Sequence, residues 1–195
     1  MTTLLPRNLI SRSPLPRGFL LIAFALALAW FVLSPAPKAF GVSPPPDGGY
    51  TGNNTAEGTN ALFSLTSGIN NTGVGFNALL NNSTGGYNVA VGSNALALNT
   101  SGSFNMAIGS EALYNNSANS NLAIGFRVLF FNTIGNNLTG VGAGALYQNT
   151  TGSFNTAVGA AALNSNTTGA NNTAVGRQAL YSNIGGYNDT ANGSS

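Results

Sequence analysis

The chain has no histidine and no cysteine among its 195 residues. Without cysteine there is no disulfide framework and no thiolate metal site. Without histidine the commonest general base and metal ligand is gone. Charge is scarce too: 5% of residues are Asp, Glu, Lys or Arg, against roughly 25% in an ordinary soluble domain. The formal net charge of +2 is set by one end, because Arg7, Arg12, Arg17 and Lys38 all precede residue 40. Beyond them Arg127 and Arg177 stand against Asp47, Glu57, Glu111 and Asp189, a balance of −2. A phosphate backbone is recognised by clustered Lys and Arg, so nucleic acid is not an expected partner.

Glycine and asparagine fill the chain instead, at 26 and 29 residues. Such polarity without charge calls for a search for internal repeats. The first 41 residues stand apart from the rest. They open with three arginines and no acid, and continue into Phe19–Leu33, "FLLIAFALALAWFVL", an apolar run of 15. A spanning helix wants about 20 apolar residues. The run therefore reads as the core of a secretory signal over 1–41, with cleavage between Gly41 and Val42. Cleavage after Ala39 is the alternative, with Pro37 three residues from the cut. Left uncleaved, this segment would be the chain's one route to a membrane. Export predicts a secreted or cell-surface protein of a bacterial envelope. Residues 42–52, "VSPPPDGGYTG", read as an extended linker.

Residues 53–195 repeat. Anchor glycines recur at Gly58, Gly75, Gly92, Gly109, Gly125, Gly142, Gly159, Gly176 and Gly193, every 17 residues except for one step of 16. Four residues after each of the first eight anchors stands Leu: Leu62, Leu79, Leu96, Leu113, Leu129, Leu146, Leu163 and Leu180. Three residues further stands Asn, from Asn82 to Asn183, with Leu65 the one departure. A second glycine lies seven before most anchors and is missing in the short step, "NNSANSN". Each unit holds two apolar bursts, [TVML]-[AG]-[VI]-G and [AV]-L, separated by turn residues. Such bursts are strand-length but too short to pair alone. Stacked on their copies they form a parallel β-solenoid of about nine coils. The pattern predicts a core of the Leu and Val/Ile columns, with the Ala/Gly column on the opposite face, open to another chain. It also predicts φ > 0 at the glycines and an amide ladder along the Asn corner.

The stretches "NVAVG" (88–92), "NMAIG" (105–109), "NLAIG" (121–125) and "NTAVG" (155–159 and 172–176) resemble the head repeats of YadA-type trimeric autotransporter adhesins. They are also similar to secreted bacterial repeats of the form "NTTGxxNTAVGxxAL", some tail-fibre-like. The resemblance implies a left-handed β-roll, three chains side by side, and a structural or adhesive role at a host, matrix or glycan surface. A tail-fibre-like or matrix scaffold without binding specificity is the alternative. The 17-residue unit is longer than that family's usual coil, which implies one larger turn. The final "DTANGSS" offers no cap, so either the product is truncated or a second chain covers that end.

No catalytic set can be assembled. The carboxylates fall at unrelated phases of the repeat, and no acid–base pair can be placed among them. Neither a phosphate-loop signature nor a calcium-binding repeat occurs. An enzyme, a cofactor and a metal are therefore not expected. Glu111 and Arg127 share one phase, two residues after adjacent anchors, and should pair across coils. Sequons such as Asn149-Thr150-Thr151 follow from the corner composition. The neighbouring hydroxyls there cannot share one face, which argues against ice binding. Phe63, Tyr114, Phe130, Tyr147 and Tyr181 follow the Leu column and form a candidate contact stripe, either between chains or toward a ligand.

Overall fold

The computed structural model describes residues 51–194. The signal segment, the Gly41–Val42 cleavage site and most of the linker lie outside the described residues. Among the described residues nine three-residue strands follow one another: β1 Thr55–Glu57, β2 Thr72–Val74, β3 Val89–Val91, β4 Met106–Ile108, β5 Leu122–Ile124, β6 Thr139–Val141, β7 Thr156–Val158, β8 Thr173–Val175 and β9 Thr190–Asn192. They form one parallel sheet in sequence order, so each coil lies on the next. Residues of equal phase are register partners: Ala90 with Ala107, Val158 with Val175. The 16-residue step does not shift the register, because Ala107 still faces Ala123. Nine strands about 4.8 Å apart make a rod about 40 Å long.

The expected two strands per coil are one. The second burst is a chain of turns, and the cause is its backbone. All eight column leucines have φ between 49° and 54°. The residue two before each is also left-handed, as at Asn77 (φ 55°) and Asn94 (φ 57°). Alternating handedness breaks the pleat, yet the coils stay bonded: Leu79 N–H donates to Ala95 O and Leu96 N–H to Ala112 O, both at 3.0 Å. Leu reaches this conformation where β-branched residues pay heavily, since no branch at Cβ meets the backbone.

The interior differs from expectation. The central strand residue points in: Ala90, Ala107, Ala123, Ala157 and Ala174 are buried completely. The Val/Ile column points out. The coil is too narrow for both columns of large residues. Leu79 through Leu163 fill the interior from the turn side, with Leu62 nearly buried and Leu180 half-buried at the two ends. Against Leu only Ala or Gly fits. The Ala/Gly column is therefore enclosed within the chain and cannot meet another one. Ala78, Ala95, Ala112 and their copies complete this core.

The two glycine columns serve different ends. The anchors do take positive φ, 116° to 135°, and a side chain on Gly92 would lie 2.7 Å from Gly109 backbone. The second glycines have ordinary φ. Their constraint is room: a Cβ on Gly85 would strike Gly102 O and the Asn82 amide. Gly85 O accepts from two asparagines, Asn71 Nδ2 at 2.8 Å and Asn82 Nδ2 at 2.9 Å. Two amide ladders thus converge on the carbonyls of Gly85, Gly102, Gly135 and Gly169. One runs through the expected corner, as in Asn149 Nδ2 to Asn132 Oδ1 at 2.9 Å. The other uses the Asn before most strands, whose Oδ1 accepts the backbone N–H of its copy, as Asn71 Oδ1 does from Asn88 at 3.0 Å. In the short step Ala118 takes the glycine's place. Asn116 reaches its carbonyl across two residues instead of three, at 2.9 Å.

Candidate functional site

Strand alternation turns positions one and three outward, and the left-handed residue two before each strand joins them on that side. The result is a flat face with three columns. Val74, Val91, Ile108, Ile124, Val158 and Val175 are exposed to nearly the same degree, 36% to 39%, so no coil protrudes. In coils 3 and 4 all three columns turn apolar, with Tyr87, Val89 and Val91, then Phe104, Met106 and Ile108, and coil 5 keeps two of them in Leu122 and Ile124 beside Ser120. The Tyr87 and Phe104 rings stack at 5.0 Å and 7°. Further along, the first column becomes Thr139, Thr156 and Thr173. Sequence reasoning missed this face because it assigned Val and Ile to the interior. The alternation was visible; which side was inside was not.

The candidate stripe lies on the turn side. Three of its five members come together: Tyr114 stacks on Phe130 at 5.2 Å, and Phe130 on Tyr147 at 5.6 Å. Phe63 stands at the first coil, 74% exposed, and Tyr181 is exposed in the eighth. Leu80 and Ala97 separate Phe63 from the cluster, and Asn164 separates Tyr181 from it. A fourth ring, Phe131, packs edge-on to Phe130 at 4.8 Å and to Tyr147 at 5.2 Å. It falls one residue outside the column, and the doubled Phe of "VLFFN" was its only signal.

Arg127 and Glu111 pair as their shared phase requires, Nε to Oε2 at 2.5 Å. The hydrogen bond that Arg127 donates to Glu111 holds its guanidinium above its usual pKa, against an opposing pull from desolvation. The guanidinium carbon also lies 5.0 Å from the Phe126 ring centre and 5.6 Å from that of Phe130. The cluster is thus flanked by a self-neutralised pair. The hydroxyl column is committed to the coil stack: Thr133 Oγ1 donates to Thr150 O and Thr150 Oγ1 to Thr167 O, both at 3.0 Å. Asn149 of the sequon is fully buried in its ladder. Among the described residues no three potential metal ligands gather. Comparison with known proteins finds no matching family model, curated protein or solved structure.

Proposed function

We propose that this chain is a secreted, non-enzymatic repeat module of the bacterial cell surface, a charge-poor rod that self-associates and serves a structural or adhesive role. One observation carries this reading: the flat outer strand face with its apolar centre at coils 3 to 5. Single exposed apolar residues are ordinary on a protein surface, but contiguous ones mark contacts. A face with no charge between Thr72 and Val175 fits a surface equally poor in charge, and its own copy is such a surface. Three copies around one axis would bury all three faces at once and close the assembly, with no edge left to add a fourth. The homotrimer that the YadA resemblance implies supports the same arrangement, on the Val/Ile face instead of the Ala/Gly face. Export by the N-terminal signal would put the assembly outside the cell. The turn side, with its rings, would remain open to a host, matrix or glycan surface.

Light scattering of the full chain tests the assembly. The expected mass is three times that of one chain, falling to one on Ile108→Glu, which places a charge at the centre of the face. A wild-type chain of single mass would remove side-by-side assembly from the reading. Attachment of the full chain to cells, matrix proteins or glycans tests the adhesive role.

A further inference from the structure

We propose that the groove beside the Phe131 and Tyr147 rings binds an uncharged oligosaccharide. This rests on the adhesive reading and names its ligand. The groove encloses about 450 Å³, within the range of small-molecule sites, and runs along the turn side across coils 4 to 7. Phe131 and Tyr147 line it, together with Asn115, Gln148, Thr133 and Thr150. None of these residues carries a charge.

The rings are held in place. Tyr147 rests on Phe130, which rests on Tyr114, and Phe131 abuts the stack edge-on. The next residue of the column is Asn164, whose Nδ2 is drawn to Gly144 O at 2.9 Å, so the ring ladder stops at Tyr147. A platform of fixed rings offers π faces to the C–H side of a pyranose without ordering cost. Around it lie amides. Asn115 Nδ2 is spent on Phe130 O at 2.8 Å, which fixes the side chain and leaves its Oδ1 as an acceptor. Gln148 is exposed and offers both a donor and an acceptor. The Thr133 and Thr150 hydroxyl protons are committed to backbone, so their oxygens too present lone pairs.

Rings plus acceptors discriminate among ligands. A proline-rich peptide also favours aromatic grooves, but proline has no N–H to give the acceptors. A charged ligand would meet no counter-charge in the lining, and the nearest ions, Glu111 and Arg127, already satisfy one another. Sugar hydroxyls both donate and accept, and sugar rings carry an apolar face. An uncharged glycan meets every part of the groove. Its length across several coils favours an oligomer over a single sugar.

The test is an array carrying neutral, sialylated and sulfated glycans and a proline decapeptide, probed with the full chain. Calorimetry then follows with the best neutral oligosaccharide. We expect binding to at least one neutral glycan, and a loss of at least about tenfold in affinity for Tyr147→Ala and for Phe131→Ala. Phe131→Tyr, which keeps the ring, should retain binding and guards against misfolding. Phe76→Ala, which removes an exposed ring in the second coil away from both the groove and the strand face, should bind as wild type. Binding only to charged glycans or to the peptide would overturn the proposal. So would binding to no glycan, or binding that survives Tyr147→Ala. Adhesion that persists in Tyr147→Ala would overturn the glycan site and leave the adhesive reading standing. A wild-type chain that adheres to nothing would end the adhesive reading itself.

Discussion

A leucine with φ near 50° is an unusual residue to repeat eight times. Left-handed backbone costs an L-residue roughly 1–2 kcal/mol, and Asn or Gly would pay less. Leu holds the column because its side chain must also fill the coil, and its branch at Cγ lies clear of the backbone. Ile has nearly the same volume with the branch at Cβ. At Leu96, φ 50° and fully buried, Leu96→Ile should therefore cost more than Leu96→Met although both conserve size. We expect about 2–3 kcal/mol for Ile, from strain, and under about 1.5 kcal/mol for Met. Urea denaturation of the two variants measures the difference. Equal costs would show that volume alone selects Leu. The Asn ladders follow a related logic. At Leu138 one ladder loses a rung: the backbone N–H still donates to Asn121 Oδ1 at 3.0 Å, but no amide passes the ladder on. At Asn166 the Oδ1 is buried with no partner. Asn183, which should donate to it, donates to Asp189 Oδ2 at 3.0 Å instead.

Within an element, one coil carries a matched exchange. The column three residues after each anchor is Ala in every other coil from Ala61 to Ala179, and Val128 in coil 5. The strand centre packed against Val128 is Gly140, where a Cβ would collide with Val128 Cγ1. Gly73 occupies the same column, but the contacts of its Cβ would begin at 3.3 Å, from Ala78 O. The two glycines should respond oppositely. Gly140→Ala should destabilise by about 1–3 kcal/mol through overpacking. Gly73→Ala should be neutral or stabilise by up to about 1 kcal/mol, since its unfolded chain has fewer states to lose. Val128→Ala combined with Gly140→Ala should recover the stability lost by Gly140→Ala, and the double-mutant cycle measures that coupling. The same packing explains what could be read beforehand. A 17-residue phase fixed which residues neighbour each other, and strand alternation fixed that Thr and Val share a side. Neither fixed which side was inside. Hydrophobicity favoured Val91 over Ala90 for the core, but the interior width left by Leu96 decided for Ala. The turn conformation of the second burst was equally hidden, because "NAL" reads as apolar and extended until its left-handed residues are seen. The Phe131 groove escaped for a further reason: it forms only where neighbouring columns happen to carry rings in consecutive coils.

For the molecule as a whole, stability comes from one neighbour repeated. Each coil contributes its own packing and one interface on either side, and ionic terms have almost no part. That has a consequence for pH. Between pH 6 and 9 an ordinary protein changes charge chiefly through His, Cys and its α-amino group. The first two are absent here. Arg127 is held above its usual pKa, chiefly by its hydrogen bond to Glu111. A raised pKa adds stability that is fully present below the unfolded-state value and is lost only as pH climbs through the folded-state value. For an arginine both lie in strong alkali, so the contribution is constant throughout this window. The thermal midpoint of the full chain should accordingly stay within about 2 °C from pH 6 to 9, a change of at most about 1 kcal/mol. Raising salt from low to moderate strength should move it as little, because screening acts on charges and few are present. Melting curves by circular dichroism across that range give the answer. A steady drift of several degrees with pH would mean that charge supports the stack, and that contacts between copies of the coil do not suffice to hold it.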